Sequence, residues 1–277
     1  MRPTIRDPGR TRLAVLGSPI EHSRSPALHA AAYRELELPW RYERHEVAEG
    51  GLAAFLAGLD DGWRGLSITM PLKPEALRCS AGVSDIAAET GAVNTLRLGG
   101  ADGPRGYNTD VHGIAQALRE AGVDRVGHAL VLGAGATARS VISAVRRLGA
   151  EAVTVAARRP QAAAAGASFA GGLGLAAAAR TTREMLDADA DLVVNTIPGG
   201  AAAGLEFAPG LERVPLLEIA YDPWPSPLAA RWHGTVVSGL EMLLHQAVAQ
   251  VRVFVLDDPH VPLPDEPAVL AAMRAAL

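Results

Sequence analysis

Short apolar runs alternate with helical patterns along nearly the whole chain. Residues 11–17 (T-R-L-A-V-L-G) predict a buried strand ending at a glycine. Leu28, Ala32, Tyr33 and Leu36 then share one face of a helix that stops before Pro39. A strand over 42–47, a helix over 51–59 and a strand over 66–70, broken by Pro71, come next. This alternation predicts parallel α/β layering. Residues 87–98 read as an apolar strand interrupted by Asn94, and a further helix begins at about Gly113.

The rhythm continues in the second half. Leu130, Val131 and Leu132 meet Gly133 and Gly135, and a helical pattern follows through Val141, Ile142, Ala144, Val145 and Leu148. Strands are expected at 152–157, 191–197, 216–220 and 236–237. The Ala/Gly-rich stretch 161–180 reads as a helix to about Ala167 and then a loose connection without nameable chemistry. Ser238 and Gly239 open a long apolar helix through Leu240, Met242, Leu243, Ala247, Val248, Val251 and Phe254, and a Pro-rich turn and closing helix end the chain.

Composition narrows the class. The chain has 277 residues, 49% hydrophobic and 20% charged, ordinary values for a soluble globular protein of one or two domains. A net charge of −4 gives no electrostatic case for nucleic acid or an anionic membrane. One cysteine, Cys79, excludes a disulfide within the chain and any multi-cysteine metal site; no metal is called for. The N-terminus, M-R-P-T-I-R-D-P-G-R, lacks the apolar core of a secretory signal, and no apolar run approaches the roughly 20 residues of a membrane span. A cytoplasmic setting is expected.

Several positions carry more chemistry than their elements require. The order strand, Gly133-Ala134-Gly135-Ala136-Thr137-Ala138, helix suits a pyrophosphate, because glycines admit the backbone closely and unpaired helix N–H groups face the anion. At the end of the next strand stand Arg158 and Arg159, where an NAD binder would carry an acid. Guanidinium groups there accommodate a 2′-phosphate, which specifies NADP. In the first half, Ser23 and Ser25 either converge on a small anion or cap the helix opening at Pro26. Thr69 and Lys73 place a hydroxyl and an amine at a strand's carboxyl end. Asn94 needs a polar partner, and Asp110 stands at a helix start, where N-capping is the plainest role.

Eight segments in order and register resemble the shikimate dehydrogenase family: G-S-P-I-E-H-S-R-S-P-A-L-H, S-I-T-M-P-L-K, G-A-V-N-T-L, Y-N-T-D-V-H-G, G-A-G-A-T-A-R, N-T-I-P, Y-D-P-W-P-S-P-L and G-L-E-M-L-L-H-Q-A. S-I-T-M-P and Y-D-P-W-P look most like the actinobacterial branch. The resemblance implies an α/β fold of two domains. Residues 1–112 would bind substrate, residues 113–237 would form a Rossmann-type doubly wound NADP-binding domain, and residues 238–277 would be helices packing back toward the first domain. It implies NADPH-dependent, reversible reduction of 3-dehydroshikimate to shikimate. Lys73 and Asp110 match the catalytic pair. Ser23 and Ser25 match the carboxylate anchors, and Thr69, Lys73, Asn94, Asp110, Tyr221 and Gln246 match contacts to the ring and its hydroxyls. Gly133, Ala134, Gly135, Ala136 and Thr137 match the pyrophosphate loop, Arg158 with Arg159 the 2′-phosphate end, and Ile219 and Gly239 the nicotinamide side. Three positions depart from the family pattern: Ser67 replaces the Asn of N-V-T-x-P, and Ala157 and Arg159 replace the Asn and Thr of N-R-T. Asp85 matches an acidic position near the cofactor only loosely. Quinate or amino-shikimate as substrate, a metabolite-sensing regulator, and a monomeric or homodimeric state all stay open.

Overall fold

The computed structural model describes residues 9–186, 189–198 and 200–277. The strands are β1 (Arg12–Gly17), β2 (Arg41–Glu46), β3 (Trp63–Ile68), β4 (Gly82–Val83), β5 (Thr95–Arg97), β6 (Arg105–Tyr107), β7 (His128–Leu132), β8 (Ala152–Ala157), β9 (Ala176–Thr181), β10 (Leu192–Asn195), β11 (Leu216–Glu218) and β12 (Val236–Ser238). The helices are α1 (Ser25–Glu35), α2 (Leu52–Ala57), α3 (Lys73–Arg78), α4 (Asp85–Thr90), α5 (Asp110–Glu120), α6 (Ala136–Arg147), α7 (Pro160–Gly172), α8 (Pro227–Ala230), α9 (Gly239–Leu256) and α10 (Glu266–Arg274). Most of the N-terminal stretch judged to lack a secretory signal, and Gly199 after β10, lie outside the described residues. The chain forms two compact units, Met1–Thr109 with Leu243–Leu277, and Asp110–Met242.

The first unit is built on a sheet of order β2-β1-β3-β5-β6-β4. β1 runs parallel to β2 and β3, but β5 is antiparallel to both β3 and β6. The expected parallel layering therefore holds for β1 to β3 and for the short pair of β4 with β6, with the antiparallel β5 between them. The strand expected over 87–98 divides into α4, a turn at Gly91 and the three-residue β5, with Asn94 just ahead of that strand. Ser84 starts α4 early, its Oγ accepting the Ala87 N–H at 3.3 Å. Helix α9 is apolar around most of its girth because it is enclosed. Leu244, Val248, Val251 and Phe254 pack with Leu28 and Tyr33 of α1 and Met273 of α10. Among the described helices α9 alone is long and apolar enough to cross a membrane, and 72% of it is buried inside the protein, as in a core helix. Its carboxyl end is held by the fully buried Arg64, whose Nη1 donates to the Phe254 carbonyl at 2.9 Å and whose guanidinium lies 4.4 Å over Trp40.

In the second unit six strands lie in the order β12-β11-β10-β7-β8-β9, all parallel. The direction of winding reverses between β7 and β10, so a switch-point crevice opens at their carboxyl ends. The stretch expected to be a loose connection is instead ordered: α7 runs to Gly172, and β9 pairs with β8 from Ala152↔Ala176 to Ala157↔Thr181. Alanine has little preference for strands, so pairing along β8 sets this edge. Helix α5 begins at Asp110, three residues ahead of the position that the pattern suggested.

Candidate active site

Each chemical group in the first unit is fixed by backbone. The Thr69 N–H donates to the Leu16 carbonyl at 2.9 Å, holding the turn after β3 against the end of β1. Lys73, half-buried, heads α3 immediately beyond that turn. The Glu75 carboxylate accepts N–H groups of Gly50, Leu52 and Ala53 at 3.0, 3.0 and 3.3 Å, so it caps α2 and pins α3 to it. The Lys73 carbonyl accepts the Val93 N–H at 3.2 Å, which ties the head of α3 to the segment carrying Asn94.

Asn94 is 1% exposed and organises the polar centre of this unit. Its Oδ1 accepts the Thr109 N–H at 2.9 Å and the Thr95 hydroxyl at 2.8 Å. Its Nδ2 donates to Thr109 Oγ1 at 2.9 Å and to Gln246 Oε1, on α9, at 3.4 Å. A backbone N–H only donates, so the amide orientation is settled. Asp110, buried, follows Thr109 directly and heads α5.

The capping role open to the serines holds for Ser23 only in part: Arg24 is the N-cap of α1 and its side chain makes no cap bond, while the Ser23 Oγ accepts the N–H of Ser25, the first residue of the helix, at 3.3 Å. The buried Ser25 bonds instead to Tyr42, whose hydroxyl donates to Ser67 Oγ at 2.6 Å. Asp85 is exposed in the first turn of α4, where its charge suits the helix dipole.

The second unit offers an anion cradle at its switch point. Gly133 has φ +105°, and a Cβ there would lie 2.3 Å from Thr196 Oγ1, so this turn needs glycine. The chain then passes through Ala134 and Gly135 into α6, opened by Ala136 and Thr137. No side chain among the described residues caps α6, and nothing lies within 4 Å of a Cβ built on Gly135. Open space beside the uncapped N–H groups of a twelve-residue helix can hold a pyrophosphate. Arg158 and Arg159 are both exposed where β8, the neighbour of β7, ends, and Arg159 is the N-cap of α7. Two guanidinium groups and a helix N-terminus there can hold a second, doubly charged phosphate. The chain's residues thus fit a dinucleotide bearing a 2′-phosphate.

Ile219 and Gly239 follow β11 and β12 and come together: a Cβ on Gly239 would fall 2.0 Å from the Ile219 carbonyl oxygen. Tyr221, half-buried, sits in the same loop as Ile219. That loop is fastened by Glu218, fully buried, whose carboxylate accepts Asn195 Nδ2 at 2.8 and 3.0 Å, Ser226 Oγ at 2.9 Å and the Ala220 N–H at 3.1 Å. Burial pushes the Glu218 carboxyl above its usual range, although these donors pull against it.

Sequence reasoning missed His29, Tyr42, Glu75, Thr95, Thr109, Glu218 and Gln250. The one available signal was Gln250, a polar residue four after Gln246 within the apolar run of α9. His29 is fully buried, and burial holds its pKa at about 3. Its Nε2 lies 3.2 Å from Gln250 Oε1, its Nδ1 lies 3.0 Å from the Tyr33 hydroxyl, and its ring stacks on Tyr42 at 4.0 Å. A carboxamide oxygen only accepts, so the neutral ring carries its proton on Nε2 and Tyr33 donates to Nδ1.

Comparison with known proteins places these features in a family. Residues 15–96 match the model of the shikimate dehydrogenase substrate binding domain. The chain is 40% identical over 250 residues to a shikimate dehydrogenase (NADP(+)) of Acidiphilium cryptum, covering 87% of this chain and 89% of that one. Its fold resembles the crystal structure of Mycobacterium tuberculosis shikimate dehydrogenase, with TM-score 0.84, 41% identity, and 96% and 99% of the two chains covered. It also resembles the shikimate 5-dehydrogenase of Thermus thermophilus in complex with NADP(H) and shikimate, with TM-score 0.78 and 33% identity over 96% of this chain and 100% of the other.

Proposed function

The chain belongs to the shikimate dehydrogenase family, and from that premise we propose that Lys73 and Asp110 carry its reaction. That reaction is the reversible reduction of 3-dehydroshikimate to shikimate at the expense of NADPH. Bound NADPH supplies the hydride that reaches the C3 carbonyl carbon. Negative charge then grows on the carbonyl oxygen, and the Lys73 ammonium stabilises it and donates the proton that completes the hydroxyl. In the reverse direction the Lys73 amine takes that proton. Asp110 holds the ammonium in place and accepts a hydrogen bond from a substrate hydroxyl. The observation that carries this assignment is the Asn94 node: the Lys73 carbonyl is tied one residue before it, and Thr109, which precedes Asp110, is bonded to it.

Ser23 and Ser25 hold the substrate carboxylate with neutral donors, which adds no further charge beside Lys73. Thr69, Asn94, Tyr221 and Gln246 contact the ring and its hydroxyls. The turn from Gly133 to Thr137 takes the pyrophosphate, Arg158 and Arg159 take the 2′-phosphate, and Ile219 with Gly239 lines the nicotinamide side. Within the family we place the chain on the actinobacterial branch, supported by S-I-T-M-P, Y-D-P-W-P and the identity to the mycobacterial enzyme. A reducing cytoplasm suits its single cysteine, Cys79.

The test is NADPH consumption with 3-dehydroshikimate, beside NADH and quinate. Turnover is expected with NADPH and 3-dehydroshikimate, and replacing Arg158 and Arg159 by alanine should weaken NADPH far more than NADH. Equal losses for the two cofactors would overturn the 2′-phosphate assignment. Faster oxidation of quinate than of shikimate would overturn the substrate.

A further inference from the structure

Gln250 lies one helical turn beyond Gln246 on α9 and is 2% exposed. Its amide has every hydrogen-bonding position in use. Oε1 accepts from Ser67 Oγ at 2.8 Å and from His29 Nε2 at 3.2 Å. Nε2 donates to the Asn94 carbonyl and to Thr95 Oγ1, both at 3.1 Å. One buried side chain thereby joins α1, β3, β5 and α9.

The bonds continue outward in both directions. From Ser67 they pass to Tyr42 and on to Ser25. From Thr95 they pass to Asn94 Oδ1, and from Asn94 Nδ2 to Gln246. The two ends of this chain of bonds are the groups assigned above to the substrate's carboxylate and to its ring hydroxyls. Gln250 is enclosed by four bonds of 2.8–3.2 Å, so whatever it contributes acts through Ser67, Thr95 and Asn94, whereas the 3.4 Å bond from Asn94 Nδ2 to Gln246 is long enough for a substrate hydroxyl to take over. Filling a core needs no amide, and burying one is costly unless every bond is made. The departure at Ser67 has a counterpart here. Where the family pattern carries a carboxamide on β3, this chain carries a hydroxyl whose partner at 2.8 Å is a carboxamide arriving from α9.

We propose that Gln250 is a positioning residue that keeps Ser25, Ser67, Asn94 and Gln246 in register for the substrate. It replaces from α9 the carboxamide that the family pattern places on β3. The proposal rests on the function given above and deepens it.

The experiment uses the full chain with Gln250→Ala, Ser67→Asn and the two together, measuring shikimate affinity by calorimetric titration beside steady-state kinetics. Gln250→Ala should weaken shikimate binding and raise its KM about 10-fold, with kcat within about 3-fold and NADP affinity unchanged. Ser67→Asn alone should also weaken binding, because its amide falls on the space that Gln250 fills. The double variant should return to within about 3-fold of the parent, since the carboxamide is then supplied from β3. Tyr42→Phe removes one hydroxyl from the middle of the chain of bonds. It should give a smaller loss in the same direction, which serves if Gln250→Ala does not fold. Parent-like shikimate affinity in Gln250→Ala or Tyr42→Phe, with only the melting temperature lowered, would refute the proposal, as would a double variant no better than Gln250→Ala. A parent chain that binds NADP but not shikimate would refute the functional reading as well. A parent that binds shikimate, with variants that bind it equally, refutes this inference alone.

Discussion

A proton donor must be held where negative charge develops, and a lysine side chain has four rotatable bonds with which to miss. In this chain the main chain of Lys73 is anchored twice, through α3, whose Glu75 carboxylate accepts N–H groups at the start of α2, and through its own carbonyl, which accepts the Val93 N–H. Lys73→Ala removes the donor and leaves both anchors standing. The expected outcome is a fall in kcat of at least about 10²-fold, the low end for general acid–base catalysis, with an unchanged melting temperature. Near-normal turnover by that variant would remove Lys73 from the mechanism. Asn94 could be picked out in the sequence because an amide in an apolar setting needs partners. The identity of those partners could not, since Thr109 and Gln246 lie 15 and 152 residues away. The bond between His29 and Gln250 was hidden for the same reason, because it joins residues 221 positions apart, although Gln250 itself stands out as a polar residue in an apolar helix.

At the scale of elements, the turn from β7 into α6 separates two effects of an added methyl group. At Gly133 a Cβ meets Thr196 Oγ1 at 2.3 Å with φ at +105°, so Gly133→Ala distorts the turn itself. At Gly135 the backbone is extended and the space is open, so Gly135→Ala fits the free protein and intrudes only where a pyrophosphate would sit. Gly133→Ala should therefore lower the melting temperature. Gly135→Ala should leave it unchanged while raising the KM for NADPH. Similar melting temperatures for both variants would show that Gly133 is not required by the turn. This strand–turn–helix unit was legible because its glycines, apolar run and helix face are local. The antiparallel β5 and the edge strand β9 were not. β5 is three residues long, and the alanines of β9 owe their conformation to β8 rather than to preference. Asn94 looked like a strand residue for the same cause: α4, capped by Ser84, occupies the start of what read as a single apolar run.

Over the whole molecule, acid should act oppositely on the two units. His29, in the first unit, has a folded pKa of about 3 against an ordinary 6.5, because burial disfavours the imidazolium. The rings around it, Tyr33, Tyr42 and Phe254, and the Gln250 amide offer no charge to compensate. Between those two pH values the unfolded chain binds a proton that the folded chain refuses. The group's contribution is therefore complete above pH 6.5 and lost as pH falls toward 3, a difference of about 5 kcal/mol. That is comparable with the whole stability of a small domain. Glu218, in the second unit, has its carboxyl raised above 4.5 by burial, so the folded state binds the extra proton. Its contribution is present below 4.5 and is lost as pH rises through the folded value. Scanning calorimetry at pH 7 and again near pH 4 should show this divergence as a first unit that melts earlier, relative to the second, in acid. His29→Gln, which keeps an amide donor and cannot titrate, should reduce the shift of the first transition while leaving the second in place. Fluorescence of Trp40 and Trp63, both in the first unit, and of Trp232, in the second, assigns the transitions once single-tryptophan variants are made. If His29→Gln and the parent lose stability equally between pH 6.5 and 3, buried neutral His29 is not what makes the first unit acid-sensitive.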